Sequence, residues 1–286
     1  MKKLFAILFF LPFISCYAVT TDMVNFHNES SDTCKISEIL HKTIDANFTT
    51  PNERVGFIAR QFLGLPYVAH TLEGDTEMLT INVDELDCTT FVETVIAMAI
   101  TAEEGSTSWR DYAKNLESIR YRDGVLNGYS SRLHYISDWI INNSARGNFN
   151  EATTEIYGSS YITKTINFMS THRSSYNSLK NDIEFNNIKE IESNYINHKY
   201  PIIKKASLLN KLTRRDLKDG DIVALTTKTN GLDVSHMGLI AIVDGVPHLM
   251  HASMKAMKVI IDPLPLHKYL SNSKSLTGIR IIRLNK

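Results

Sequence analysis

An α+β fold is predicted by three features of this sequence. Helical apolar spacing dominates roughly the first 200 residues, the period changes to that of strands from Asp219 onward, and the strand-like runs are joined by short turns that make an antiparallel sheet. The composition agrees with a packed core: of 286 residues, 43% are hydrophobic and 22% charged, which excludes wholesale disorder. Lys+Arg and Asp+Glu both number 31, and no basic run is long enough to track a phosphate backbone, so no nucleic-acid partner is expected. With 13 glycines and 7 prolines, fibrous and linker-dominated classes are excluded as well.

The elements follow in chain order. Lys2 and Lys3 precede an apolar run, Leu4 to Ile14, that is too short to span a bilayer and ends in small residues. That pattern predicts a secretory signal peptide over residues 1–18, an exported, periplasmic protein, and no transmembrane segment beyond the signal. Phe13-Ile14-Ser15-Cys16 gives a weaker alternative, a lipoprotein signal in which Cys16 is lipidated. Residues 19–286 are then one elaborated domain, helical over about 32–200 and sheet over about 219–284. Thr50-Pro51-Asn52-Glu53 combines an N-cap, a first-turn proline and a capping-box glutamate, and Val55, Ile58 and Phe62 follow at helical spacing until Gly64. Asp87 is a good N-cap for a helix whose Phe91, Val92, Val95, Ile96, Met98 and Ala99 cover most of its circumference, the signature of a buried helix. Ser108–Arg120, Leu133–Asn142, Tyr161–Phe168 and Leu179–Ile196 read as further helices. Ile222–Thr226, His236–Val243, Pro247–His251, Lys258–Ile261 and Gly278–Leu284 read as strands, and Asp244-Gly245 is a two-residue hairpin signal.

Once an exported chain has lost Cys16, Cys34 and Cys88 remain. They either form a disulfide or divide into a bystander and a functional thiol. Cys34 lies in a polar segment, whereas Cys88 directly follows the Asp87 cap, where free N–H groups and the helix dipole favour a thiolate and an oxyanion. Such a thiol needs a base. Of ten histidines, His236 and His251 stand at the ends of predicted core strands. If Asp244 and Gly245 are the central turn residues, Val243 pairs with Val246, His236 faces Ser253 and His251 faces Gly238. Strand alternation then puts His236, Gly238, His251 and Ser253 on one face, with the two histidines diagonal neighbours and Gly238 leaving space between them, and sends His248 to the other face. A zinc site from Cys88, His236 and His251 uses suitable ligand types, but there is no HExxH and no paired-cysteine spacing, so neither metal nor cofactor is expected.

Gly64-Leu65-Pro66-Tyr67, Asp87-Cys88-Thr89-Thr90-Phe91, Asp219-Gly220-Asp221, Ser235-His236-Met237-Gly238 and His251-Ala252-Ser253, in that order, resemble the NlpC-type, papain-like cysteine cell-wall hydrolases. Leu86 to Glu93, Tyr129 to His134 and Gly231 to His236 resemble more closely a branch described as N-acetylmuramoyl-L-alanine amidase-like. The resemblance implies a papain-like core in which the Cys88 helix packs on the antiparallel sheet, with a large helical insertion over about 105–200. It implies Cys88 as nucleophile, His236 as base and His251 as its orienting partner, with Tyr67 as the active-site tyrosine. Asp87 and Ser235, beside those residues, and Arg132 and His134, at a predicted helix start, are candidates for holding substrate. Two departures stand out: Thr89-Thr90 replaces the family's Ser-Gly, and Ala69-His70 replaces a glycine pair. The implied partner is peptidoglycan or its muropeptide fragments, and the implied bond joins the muramoyl lactyl group to L-Ala, on anhydromuropeptides in this branch. An endopeptidase cutting γ-D-glutamyl–diamino-acid bonds and a non-catalytic wall-binding protein are the alternatives.

Overall fold

The computed structural model describes residues 24–285, so the signal-peptide and Cys16 expectations lie outside the described residues. Strand β1 (Val24–Phe26) and helices α1 (Glu29–Asp45) and α2 (Pro51–Arg60) come first. The predicted capping box opens α2: the Thr50 side chain accepts from the Glu53 amide, and the Glu53 carboxylate accepts from the Thr50 amide at 3.0 Å. A short β2 (Leu79–Ile81) runs parallel to β1. Helix α3 (Cys88–Glu103) is buried on nearly every side, as its all-round apolar sequence requires, and α4 (Trp109–Arg120) lies against it. The next helix, α5 (Ile136–Ala145), starts three residues later than the spacing suggests. A bridge between Tyr121 and Arg132 and the Leu133 amide donating to the Arg120 carbonyl hold the chain extended up to that point.

The middle of the chain is less helical than expected. It contributes β3 (Phe149–Glu151), β4 (Ser159–Lys164), α6 (Phe168–Thr171), α7 (Asp182–Ser193), β5 (His198–Lys204) and α8 (Lys211–Arg215). The helix expected over Tyr161–Phe168 is therefore wrong. Its first half, Tyr161 to Lys164, belongs to β4, antiparallel to β5 through Tyr161↔Pro201 and Ile162↔Tyr200. The physical reason is visible in the residues, because Tyr161, Ile162 and Thr163 favour strands and carry no helical apolar stripe.

The predicted sheet strands follow: β6 (Ile222–Thr227), β7 (Val234–Val243), β8 (Val246–Ser253) and β9 (Lys258–Pro265), then α9 (Leu266–Asn272) and β10 (Leu276–Leu284). The large sheet has eight strands in the order β4-β5-β10-β6-β7-β8-β9, with β3 also on β10, and its pairings are antiparallel. Asp244 (φ 48°) and Gly245 (φ 75°) make the β7–β8 turn, and the register is the predicted one, with Val243↔Val246, Ala241↔His248 and Leu239↔Met250. One sheet face, carrying Met237, Leu239, Ala241, Met250 and Ala252, packs under α1 to α5. The other carries Val223, Leu225, Ile240 and Leu249, and it is covered by Ile156, Leu208, Leu266 and Leu270. Among the described residues, no helix is long and apolar enough to cross a membrane.

Candidate active site

Cys88 is the first residue of α3, and the cap before it explains its orientation. Asp87 Oδ1 accepts from the amides of Thr89 (2.9 Å) and Thr90 (2.8 Å), while the Asp87 amide donates to Thr90 Oγ1 at 2.8 Å. Thr90, which replaces the expected glycine, thus closes the cap. Asp87 is engaged in holding the helix start. The thiol is free and half-buried, and the backbone N–H groups of Met237 and of Cys88 itself are directed at its sulfur. The helix terminus was expected to lower the thiol pKa, but the thiol stands at about 11. Burial is the largest cause and the neighbouring Asp87 charge the next, and together they outweigh the amides. Cys34 is exposed on α1 and also free, so the two do not form the disulfide considered from sequence.

His236 and His251 meet as the hairpin register requires. His236 Nε2 and His251 Nδ1 are 2.6 Å apart, with the rings edge to face at 4.8 Å. Burial pushes His236 down to about 4, opposed by the Asp87 charge, and pushes His251 down to about 3 with help from His236. Both imidazoles are therefore neutral near pH 7 and share one proton between the facing nitrogens. Cys88 lies against the His236–Met237 backbone through the Met237 amide. Gly238 does not leave an open gap between the rings. A Cβ there would fall 2.6 Å from the Met250 carbonyl and 2.9 Å from Leu249 Cδ1, so the glycine lets β7 and β8 approach closely. His248 points elsewhere, its Nδ1 2.8 Å from the Asp262 carbonyl.

Tyr67 sits beside the thiol, held by a bridge to Leu86 and by its amide donating to Met257. Burial and then the Cys88 and Asp87 charges raise its hydroxyl pKa, so it stays a donor. Arg132 and His134 line a pocket of about 160 Å³ together with Asp87, Thr89 and Glu73. Arg132 is buried and paired with Glu73 (2.9 Å) and Glu77 (3.3 Å). His134 donates from Nε2 to the Tyr129 carbonyl at 2.9 Å, and burial followed by the Arg132 charge pushes it down to about 3. Ser235 is the extra residue of a bulge between β6 and β7 and is exposed.

Two neighbours of this centre escaped the sequence reading. Tyr269 on α9 presents its ring edge to His251 at 5.7 Å and lies within the field of Cys88. Asp262 on β9 places Oδ2 3.9 Å from His251 Nε2. With Ser253 paired to Lys258 and His251 to Ile260, strand alternation puts Asp262 on the His251 face. Among the described residues, no group of three or more His, Cys, Asp or Glu is arranged to hold a metal ion.

The sequence pattern of a family described as N-acetylmuramoyl-L-alanine amidase-like matches residues 57–279. The chain belongs to this family. Among solved structures, this amidase-like chain is similar to an N-acetylmuramoyl-L-alanine amidase from Bacteroides uniformis, with 39% identity over 82% of this chain and 99% of that one and a TM-score of 0.78. A Bacteroides fragilis protein provisionally named a xylanase is 44% identical over 79% of this chain and 98% of its own, with a TM-score of 0.74. A Legionella pneumophila protein shares the fold at 22% identity, 90% and 96% coverage and a TM-score of 0.69. No curated protein matches the chain. Every element that builds the centre, from Tyr67 to Asp262, falls inside the matched span of the amidase-like family.

Proposed function

We propose that this amidase-like chain is an exported cysteine hydrolase with an NlpC-type, papain-like core, and that it cleaves the N-acetylmuramoyl–L-alanine bond of peptidoglycan fragments, anhydromuropeptides among them. The 2.6 Å bond between His236 and His251, beside a free thiol at a helix N-terminus, carries this reading. Thiol and imidazole both rest neutral, so no thiolate–imidazolium pair stands ready. With Nε2 bonded to His251, Nδ1 of His236 is the nitrogen left to take the thiol proton as Sγ attacks the lactyl carbonyl. The Cys88 N–H and the Tyr67 hydroxyl are the donors at hand for the developing oxyanion. Collapse breaks the C–N bond, and His236 returns its proton to the departing L-Ala amine. Water then hydrolyses the thioester, with His236 again as base, releasing the lactyl carboxylate and restoring the thiol.

The test is digestion of defined muropeptides, with and without the anhydro sugar, followed by mass spectrometry. Free stem peptide beginning at L-Ala is the expected product, and it should vanish with Cys88→Ala and with Cys88→Ser. Products cut between D-Glu and the diamino acid would replace the amidase reading with the endopeptidase one. Undiminished turnover by Cys88→Ala would end the cysteine mechanism.

A further inference from the structure

We propose that Asp262 is a positioning residue for the cysteine centre: by accepting the Nε2 proton of His251, it sets the tautomers of both histidines so that the nitrogen of His236 left for the thiol is unprotonated. The proposal rests on the cysteine reading above and adds a residue to it. The backbone supplies the alignment. His251 pairs with Ile260, and Asp262, two residues further along β9, shares that face by alternation, so His236, His251 and Asp262 stand in a row across the adjacent strands β7, β8 and β9. A break in the β8–β9 register between His248 and Met250 opens the ladder at Asp262. There Oδ1 accepts from the Leu264 amide at 2.8 Å, which leaves Oδ2 turned toward His251.

The second observation is an unmet need. His251 is 2% exposed, and its Nε2 has no hydrogen-bond partner. A buried ring nitrogen without a partner is costly, and the nearest charged group is Asp262 Oδ2 at 3.9 Å. That gap is too narrow for a bridging water and closes to a hydrogen bond with a side-chain shift of about 1 Å, the kind of tightening that accompanies substrate binding.

Proton bookkeeping then fixes the rest. One proton lies between His236 Nε2 and His251 Nδ1. An ionised carboxylate only accepts. With Nε2–H of His251 donated to Asp262, Nδ1 of His251 carries a lone pair and must accept, so His236 donates from Nε2 and its Nδ1 is free to take the thiol proton. In the opposite arrangement, His251 donates from Nδ1, His236 holds a proton on Nδ1 against the thiol, and a lone pair on His251 Nε2 faces the carboxylate. The first arrangement is the reactive one, and it is the one the Asp262 charge favours. During turnover His236 becomes imidazolium and later gives the proton to the amine, while Asp262 only accepts the His251 hydrogen bond.

Asp262→Asn, Asp262→Ala and Asp262→Glu, measured on muropeptide and by nitrogen NMR of histidine-labelled protein, test this. Asp262→Asn is expected to lose about a hundredfold or more in kcat with KM and Tm nearly unchanged, because its amide can donate to His251 Nε2 and reverse both tautomers. Asp262→Glu should recover part of that loss. The NMR spectrum should show His236 unprotonated at Nδ1 in the wild type and protonated there in Asp262→Asn. Wild-type kcat in both Asp262→Asn and Asp262→Ala, or a proton on His236 Nδ1 in the wild type, would overturn the proposal. The NMR readout needs no turnover, so it stands apart from the nucleophile: activity surviving in Cys88→Ala would sink the cysteine reading and leave the tautomer result to be judged alone.

Discussion

At the scale of single residues, the Cys88 thiol stands at about 11 and the His236 imidazole at about 4, and their order decides the pH profile. The base must be neutral to take a proton, so kcat/KM should rise as pH passes up through about 4 and stay level through neutrality; a limb near 6.5 would mean that His236 is not the buried neutral base. The three strand histidines separate by role. His236→Ala should lower kcat by about a hundredfold to ten-thousandfold, as loss of a general base does. His251→Ala should lower it substantially but by less, because in the proposed mechanism His251 orients the base and transfers no proton. His248→Ala should leave the rate near wild type, since strand alternation turns its side chain to the face opposite His251; an essential His248 with a dispensable His251 would refute the assignment. Arg132 is a different case. Its guanidinium is buried between Glu73 and Glu77, and the Glu77 side chain is 4% exposed. Arg132→Ala therefore strands a buried carboxylate and should cost about 3–5 kcal/mol of stability, whatever it does to substrate binding. Denaturant unfolding checks this, and an unchanged midpoint would show that the pair is not stabilising.

At the scale of elements, the first turn of α3 combines two opposing effects of Asp87. It caps the helix, and its charge raises the thiol pKa. Asparagine caps about as well as aspartate but carries no charge, so Asp87→Asn should keep Tm within a degree or two while Cys88 reacts faster with iodoacetamide near neutral pH. Slower or unchanged labelling would show that burial alone sets the thiol. The same elements show what a sequence discloses. The α2 cap and the β7–β8 register were legible because each depends on residues a few positions apart, Thr50 with Glu53 and Asp244 with Gly245. Strand β4 was legible only in part: Tyr161, Ile162 and Thr163 favour strands, but the strand is half-exposed and its partner β5 lies some forty residues away. The direction of the Cys88 shift was also hidden. The helix dipole can be read locally, but the burial that overrides it comes from the folded surroundings and not from the helix start. Tyr269 and Asp262 reach the centre only through tertiary packing and the second hairpin.

At the scale of the whole molecule, two kinds of buried titratable group respond oppositely to acid. The Glu93–Arg120 pair, at 2.6 Å with both side chains 3% exposed or less, joins the Cys88 helix to α4, and burial raises the carboxyls of Glu93 and Glu77 above their ordinary value of 4.5. Those groups bind protons more readily folded than unfolded, so they do not destabilise the fold as pH falls toward that value. The histidines do. His134, His236 and His251 lie at about 3 to 4 when folded against 6.5 when free, so the unfolded chain takes up protons that the folded chain refuses. Their contribution is complete above about 6.5 and is lost progressively as pH falls toward the folded values, with each histidine removing about 1.4 kcal/mol per pH unit within that window. Tm should therefore fall between about pH 7 and 5.5, before ordinary carboxylates titrate. His134→Gln, whose amide can still donate to the Tyr129 carbonyl, should flatten that fall by its one-histidine share without touching the Cys88 centre. Calorimetry across the window is the measurement; a Tm that holds steady or rises from pH 7 to 5.5 would mean that the three rings are not buried as neutral groups, and the neutral thiol–imidazole start of the mechanism would fall with them.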